Sequence, residues 1–133
     1  MSELPVIHLG AGLPGFPGAH HWVLVEIDGE GPFRLLRSVD IEELELLVTA
    51  PHAFFPDWGF ELPDHEAVRI GLTDAGDALV LAIVTTGATP REATANLLAP
   101  VVVNLRTLEG AQVVLDGELD ELRRPLFPAL VAA

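Results

Sequence analysis

The chain has 133 residues, half of them hydrophobic, which is the size and composition of one domain with a single core. All seven basic residues are Arg and stand against twenty Asp or Glu, so the formal net charge of −13 disfavours direct binding to nucleic acid. The longest apolar run, residues 78–84, is too short to span a membrane, and a chain without Cys fits a reducing compartment, so we expect a cytoplasmic protein without a membrane partner.

Short β-branched runs separated by frequent Gly and Pro predict an all-β sandwich or barrel. Strands are predicted at residues 5–9, 22–27 and 33–38, and the Gly-rich loop before Phe33 makes the last two a hairpin. The acid at position 40 and a second acid three residues later predict one helical turn over residues 40–44. The apolar stretch 46–49 follows that turn.

The second half of the chain begins with a predicted helix over residues 64–70, which starts with an acid and closes at a Gly. Residues 79–86 are apolar on both faces and predict a central strand that is covered on both sides. A strand at 101–107, a turn at 109–110 and a returning strand at 112–115 complete the pattern. Alternation along the first of these two strands predicts the following orientation: Val101, Val103 and Leu105 inward, Asn104 and Arg106 outward.

These elements predict an all-β fold, a compact antiparallel β-barrel-like single domain over residues 1–133 with one or two short helices. No repeat, linker or low-complexity tract divides the chain. A C-terminal tail from about residue 124 is predicted to be flexible.

The segment Gly10–Gly15 matches the dinucleotide-binding pattern GxGxxG and follows a predicted strand. A pyrophosphate site needs a helix directly after the glycines, and Pro14, Pro17 and Gly18 prevent one there. A rigid loop across one end of the barrel is expected instead, and no cofactor.

Neither metal binding nor catalysis is indicated by the distribution of reactive residues. The five His residues, at 8, 20, 21, 52 and 65, share no predicted strand face and no helical spacing, and the predicted strands contain only His8. Ser occurs only at 2 and 38, and no partnered nucleophile is visible. We therefore predict no metal ligands, no catalytic residues and no enzyme. A small-molecule-binding β-barrel or a metal-dependent enzyme is the alternative, through an arrangement that only the fold would create.

Two apolar segments lie outside any clean periodicity, residues 54–60 and residues 95–100. The first holds four of the chain's eight aromatic residues, three Phe and one Trp. Its Pro and Gly residues exclude a helix. Two interpretations are open at this point. The segments can fold back as plugs over the barrel ends, or they can form a protein-binding surface of exposed aromatics rimmed by acids.

Several segments in this order resemble the FliW family of flagellar assembly factors: LPGF at 13–16, FFPDWGFELP at 54–63, LVLAIVT at 79–85, TANLLAPVVVN at 94–104 and QVVLD at 112–116. The resemblance covers nearly the whole chain, and TANLLAP before a Val-rich strand with a terminal Asn is its most specific part. Residues 120–126 depart from the family pattern, which has a Tyr and an Arg-His-Pro sequence in that region.

The resemblance implies a cytoplasmic, non-enzymatic protein without a cofactor. Family members bind flagellin before its export and also bind the RNA-binding translational repressor CsrA, so that freed protein relieves repression of flagellin mRNA. The chain is expected to be a monomer when free. The resemblance and the two apolar segments together predict these partner-binding residues: Phe54, Phe55, Trp58, Asn96, Leu97, Leu98 and Asn104.

Overall fold

The computed structural model describes residues 5–13, 15–27 and 31–127. These residues form one α-helix, α1 (Asp64–Arg69), several single 3-10 turns and a set of short strands. The strands, in chain order, are β1 (Val6–Leu9), β2 (His21–Glu26), β3 (Phe33–Ser38), β4 (Glu45–Thr49), β5 (Ala78–Thr85), β6 (Thr94–Ala95), β7 (Val101–Asn104), β8 (Glu109–Gln112) and β9 (Arg124–Pro125). None of the described residues belongs to a helix long and apolar enough to cross a membrane.

Seven strands close into a barrel in the order β1-β2-β3-β4-β5-β7-β8, with β8 pairing back to β1. The predicted all-β barrel with a short helix is confirmed. All neighbours are antiparallel except β1 and β8, which run parallel, with His8 opposite Glu109. A closed ring of seven strands requires this, because strictly alternating directions can close only around an even number of strands.

The barrel interior is filled by side chains. Trp22 on β2 is fully buried, and its indole Nε1–H donates to the backbone oxygen of Ala19 at 2.9 Å. Its neighbours in the interior come from strands all around the ring: Ile7, Leu9, Leu36, Val48, Leu81, Val101 and Val103. The largest of the three buried apolar clusters is therefore the inside of the barrel.

Two glycines permit close approach of backbone segments. A Cβ on Gly110 of β8 would lie 2.9 Å from Leu9 Cδ2, across the parallel pair. Gly12 has φ +66°, and a Cβ there would lie 2.6 Å from the Phe16 backbone oxygen. The described residues of the segment from 10 to 20 contain no helix, and Leu13 is buried in the barrel core. The glycine pattern thus serves a tight turn that packs on the barrel.

Strands β7 and β8 correct one predicted boundary. β7 ends at Asn104, the turn lies at residues 105–107, and the predicted turn at 109–110 is instead the start of β8. Asn104 lies on the outer face as predicted but is buried there, whereas Leu105, predicted to point inward, lies in the turn and is 51% exposed. The reason is that α1 and its flanks cover the outer face of this strand pair, so β7 is buried on both sides.

The two predicted helical segments and the C-terminal segment differ in how well the structure matches prediction. Residues 39–43 form bends and a turn with φ +67° at Glu43, and not the predicted helical turn. The predicted helix at 64–70 is confirmed as α1, and Gly71 with φ +69° follows it. In the predicted flexible tail, β9 pairs with β6 and Leu126 is buried. Residues 128–133 lie outside the described residues.

Asp40 holds the corner between β1 and β2, and this contribution to folding stability is expected to depend on pH. The Asp40 carboxylate accepts the backbone N–H groups of His20 (2.7 Å) and His21 (2.8 Å). These bonds, that of His21 first, keep the pKa of Asp40 below its usual 3.8. A lowered pKa in the folded state stabilises above the unfolded pKa, and the contribution is lost as pH falls through the folded pKa. We expect Asp40→Asn to lower the melting temperature at pH 7, with a difference from wild type that shrinks below pH 4. A difference that grows on acidification would contradict this assignment.

Candidate partner-binding surface

The aromatic loop, defined as residues 54–60, is held in place by backbone hydrogen bonds. Pro51 begins a 3-10 turn directly after β4, and its carbonyl accepts the Phe55 N–H at 2.8 Å. The Phe55 carbonyl in turn accepts the Trp58 N–H at 3.0 Å, and the His52 Nε2–H donates to the Trp58 carbonyl at 2.8 Å. The prolines exclude a strand or helix here, yet the loop has one defined shape.

The rings of Phe54, Phe55 and Trp58 pack on an apolar cluster outside the barrel, formed by β5, β6 and the C-terminal segment, while Phe60 packs on a separate cluster that includes Ile70. The Phe54 ring lies 5.5 Å from that of Phe33, and Trp58 lies 5.3 Å from Phe60. Arg124 lies over the ring of Phe55 at 5.1 Å, a cation–π contact. All four loop aromatics remain half-buried. The aromatic residues therefore both pack on the protein and remain partly accessible. This arrangement combines the two interpretations of the segment, as a packing plug and as a protein-binding surface.

The segment 95–100 is pinned by its own hydrogen bonds. The Asn96 side-chain oxygen accepts the N–H groups of Leu98 (3.1 Å) and Ala99 (3.0 Å), which makes an Asx turn. Leu97 is only 1% exposed and belongs to the outer cluster, so its predicted place in an exposed patch was wrong. Leu98 is half-buried and stays accessible. Asn96 acts by shaping the turn that carries these two leucines.

Asn104 is also buried, at 2% exposure, and its side chain is engaged within the protein, while its contact with a partner stays a prediction. Its Nδ2 donates to the backbone oxygens of Ile70 (3.0 Å) and Gly71 (3.1 Å), directly after α1. Its Oδ1 accepts the Arg106 N–H at 3.0 Å. Asn104 thus ties the end of the helix to the β7–β8 turn, and its role is structural.

A groove of about 570 Å³ lies beside the aromatic loop, and we call it the acidic groove. Its apolar lining is drawn from three segments that are distant in sequence: Trp58 and Phe60, Leu97 and Leu98, and Val114 and Leu115. Val114 is 74% exposed, so this lining reaches open solvent. The groove therefore presents apolar surface from both segments that the sequence singled out.

Carboxylates line the same groove: Glu61, Asp116, Glu118 and Glu121. Glu121 is paired with Arg124 at 2.8 Å. The other three form no ion pair with any residue that the structure describes. The combination is an apolar strip flanked by uncompensated negative charge, which complements a ligand that is apolar and basic.

A second groove, of about 490 Å³, shares residues 58–60 with the acidic groove and is mostly apolar. Besides residues 58–60, it is lined by residues 50–52 just after β4, by the start of β5 and by residues after α1. Of the residues lining the two grooves, only His52 is a His. Trp58 and Phe60 line both grooves.

His8 and His21 face each other across β1 and β2, with ring centres 5.3 Å apart. The prediction that no two His share a strand face was wrong, because β2 begins at His21, one residue before the predicted start. In the described part of the chain, no group of three or more His, Cys, Asp or Glu side chains is placed to hold a metal ion.

The class of protein defined by these observations is a small closed β-barrel with apolar clusters and grooves on its outside. The family described as FliW protein matches the chain over residues 1–126. The flagellar assembly factor FliW of Bacillus licheniformis is 37% identical over 115 residues, which cover 86% of this chain and 80% of that protein. That of Symbiobacterium thermophilum is 37% identical over 123 residues, covering 92% and 89%.

A solved structure agrees with these relatives. The crystal structure of the flagellar assembly factor FliW matches with a TM-score of 0.89 at 29% identity, over 98% of this chain and 92% of that one. The chain belongs to the FliW family of flagellar assembly factors.

Proposed function

We propose that this protein binds flagellin and the translational repressor CsrA in the cytoplasm, as a monomer when free, and thereby relieves repression of flagellin mRNA translation. Membership of the FliW family supports a role in flagellar assembly. The acidic groove, with Trp58 in its lining and three uncompensated carboxylates, is the observation that supports protein binding in particular. No direct contact with nucleic acid is part of the proposal.

The physical basis of the switch is competition for one protein. While flagellin is abundant in the cell it occupies the factor, and after flagellin is exported the freed factor binds CsrA. The net charge of −13 adds a second effect once CsrA is bound. A strongly acidic body held near an RNA-binding surface lowers the affinity for phosphate without covering that surface, over a distance of about 8 Å at physiological salt.

The proposed binding surface consists of Phe55, Trp58 and Leu98 with the carboxylates of the acidic groove. The aromatic loop and the 95–100 turn are already ordered by the hydrogen bonds described above, so their side chains are presented at little entropic cost. Among the three predicted aromatics, Phe54 has the most ring contacts within the protein, because its ring also lies 5.6 Å from that of Phe127. We assign it to support of the loop.

Co-elution tests the proposal directly. The purified protein is mixed with cognate CsrA, with cognate flagellin, and with both, and the complexes are separated by size. We expect a complex with each partner alone, and release of CsrA when flagellin is in excess. If neither partner co-elutes, the proposal is wrong. If both bind at once, the proteins do not compete, and the switch is excluded while partner binding stands.

The charge of the acidic groove predicts a salt-dependent encounter with a basic partner. The association rate constant for CsrA is expected to fall steeply as ionic strength rises through 0.1 M, where the screening length is about 10 Å, while the dissociation rate changes little. Stopped-flow or surface-binding kinetics over a salt series measure both constants. Glu118→Gln should reduce the salt dependence of the association rate constant. Glu42→Gln, which lies outside this groove, should reduce that dependence less. Rates that do not change with salt would remove electrostatic steering.

A further inference from the structure

The two half-exposed imidazoles that face each other at the β1–β2 corner form a pair that no predicted function uses. His8 and His21 are direct cross-strand partners, so their side chains project from the same face of the sheet. Their ring centres are 5.3 Å apart, with the ring planes inclined at 38°. Their side chains are 44% and 48% exposed, so solutes can reach both rings.

This separation fits shared coordination of one metal ion. Zn²⁺ binds His nitrogens at about 2.0–2.1 Å with roughly tetrahedral angles, which places the centres of two ligating rings about 5 Å apart. Imidazole pairs suit the borderline divalent metals, Zn²⁺, Cu²⁺ and Ni²⁺, and not Ca²⁺ or Mg²⁺. The ring separation therefore already matches the spacing that such a metal requires.

The second ring nitrogen of each His is held as it is in metal sites. His8 Nδ1–H donates to Glu109 Oε2 at 2.9 Å, and His21 Nδ1–H donates to Asp40 Oδ1 at 3.1 Å. A ligating His ordinarily donates its other N–H to a carboxylate, which fixes the ring orientation and increases the basicity of the ligating nitrogen. With both Nδ1 atoms engaged, Nε2 of each ring is the atom that remains for a metal.

From this arrangement we propose that His8 and His21 bind one borderline transition-metal dication through their Nε2 atoms, with Glu109 and Asp40 as positioning residues and solvent at the remaining coordination positions. The protein supplies only two ligands, in keeping with the lack of any larger ligand group among residues 5–13, 15–27 and 31–127. Such a site exchanges its metal readily. The bound ion would join the strands on either side of the glycine-containing turn at 10–20.

Isothermal titration of the full-length protein with ZnCl₂ in a non-chelating buffer tests the proposal. We expect one Zn²⁺ per chain, and at least a tenfold weaker affinity in His8→Gln and in His21→Gln. Cu²⁺ should bind more tightly than Ni²⁺, following the usual order for imidazole sites. His65→Gln is the matched control, because His65 lies on α1 with an 81% exposed side chain and is expected to leave the affinity unchanged.

Glu109→Ala separates positioning from folding. It should weaken Zn²⁺ binding by about tenfold or more while the metal-free melting temperature stays near that of wild type, because both members of this pair are half-exposed. Saturating Zn²⁺ should raise the melting temperature of wild type and of His65→Gln but not of the two ligand variants. Absence of Zn²⁺ binding, or binding that survives either ligand substitution, would overturn the proposal.

Discussion

Trp58→Ala is expected to weaken binding of CsrA or flagellin by about thirtyfold, which corresponds to about 2 kcal/mol for loss of an aromatic anchor. Trp58 contributes to the lining of both grooves. Since its ring is only half-buried, the loss of folding stability should be smaller than the about 3–5 kcal/mol typical of a fully buried aromatic. Affinity from titration calorimetry and the melting temperature are measured on the same preparation.

The control for Trp58→Ala is Val68→Ala. Val68 is 79% exposed on α1 and lines neither groove, so this variant should keep both the affinity and the melting temperature of wild type. If Trp58→Ala unfolds the protein while its residual folded fraction binds normally, the aromatic loop is a packing element. The partner surface then has to lie elsewhere on the barrel.

Asn104→Ala is expected to produce the opposite pattern, a large loss of stability with binding unchanged in the folded protein. The substitution removes the side-chain donor to two backbone oxygens after α1 and the acceptor for the Arg106 N–H. A buried polar group left without a partner costs about 1–3 kcal/mol, so a total near 3 kcal/mol is expected from these three bonds. Urea denaturation measures the free energy of unfolding, and an affinity titration follows at a temperature where the variant is folded.

Leu105→Ala provides the comparison within the same turn. Leu105 is the next residue and is 51% exposed, so its truncation should change the free energy of unfolding by less than about 0.5 kcal/mol. A stable Asn104→Ala variant that fails to bind a partner would return Asn104 to the interface and contradict the structural role assigned to it.

The candidate surface was predictable from sequence only in outline. Local composition singled out residues 54–60 and 95–100 as apolar segments outside the sheet, and both border the acidic groove. Which side chains reach the surface was not predictable, because neighbouring leucines differ completely. Both border the groove, but Leu97 is buried in the outer cluster while Leu98 stays accessible. This difference depends on the Asx turn at Asn96 and on contacts with residues 115–121.

The sequence by itself determined the class of fold, most strand positions, the short helix with its terminal Gly and the acidic character of the surface. These properties depend on local alternation, on Gly and Pro breakers and on composition, each of which is encoded within a few residues. Only the tertiary structure decided the parallel β1–β8 pair, the burial of Asn104 and the meeting of His8 with His21 and Glu109. Such contacts join residues as far apart as positions 8 and 109. Their geometry follows from how the barrel closes, for which no short stretch of sequence carries a signal.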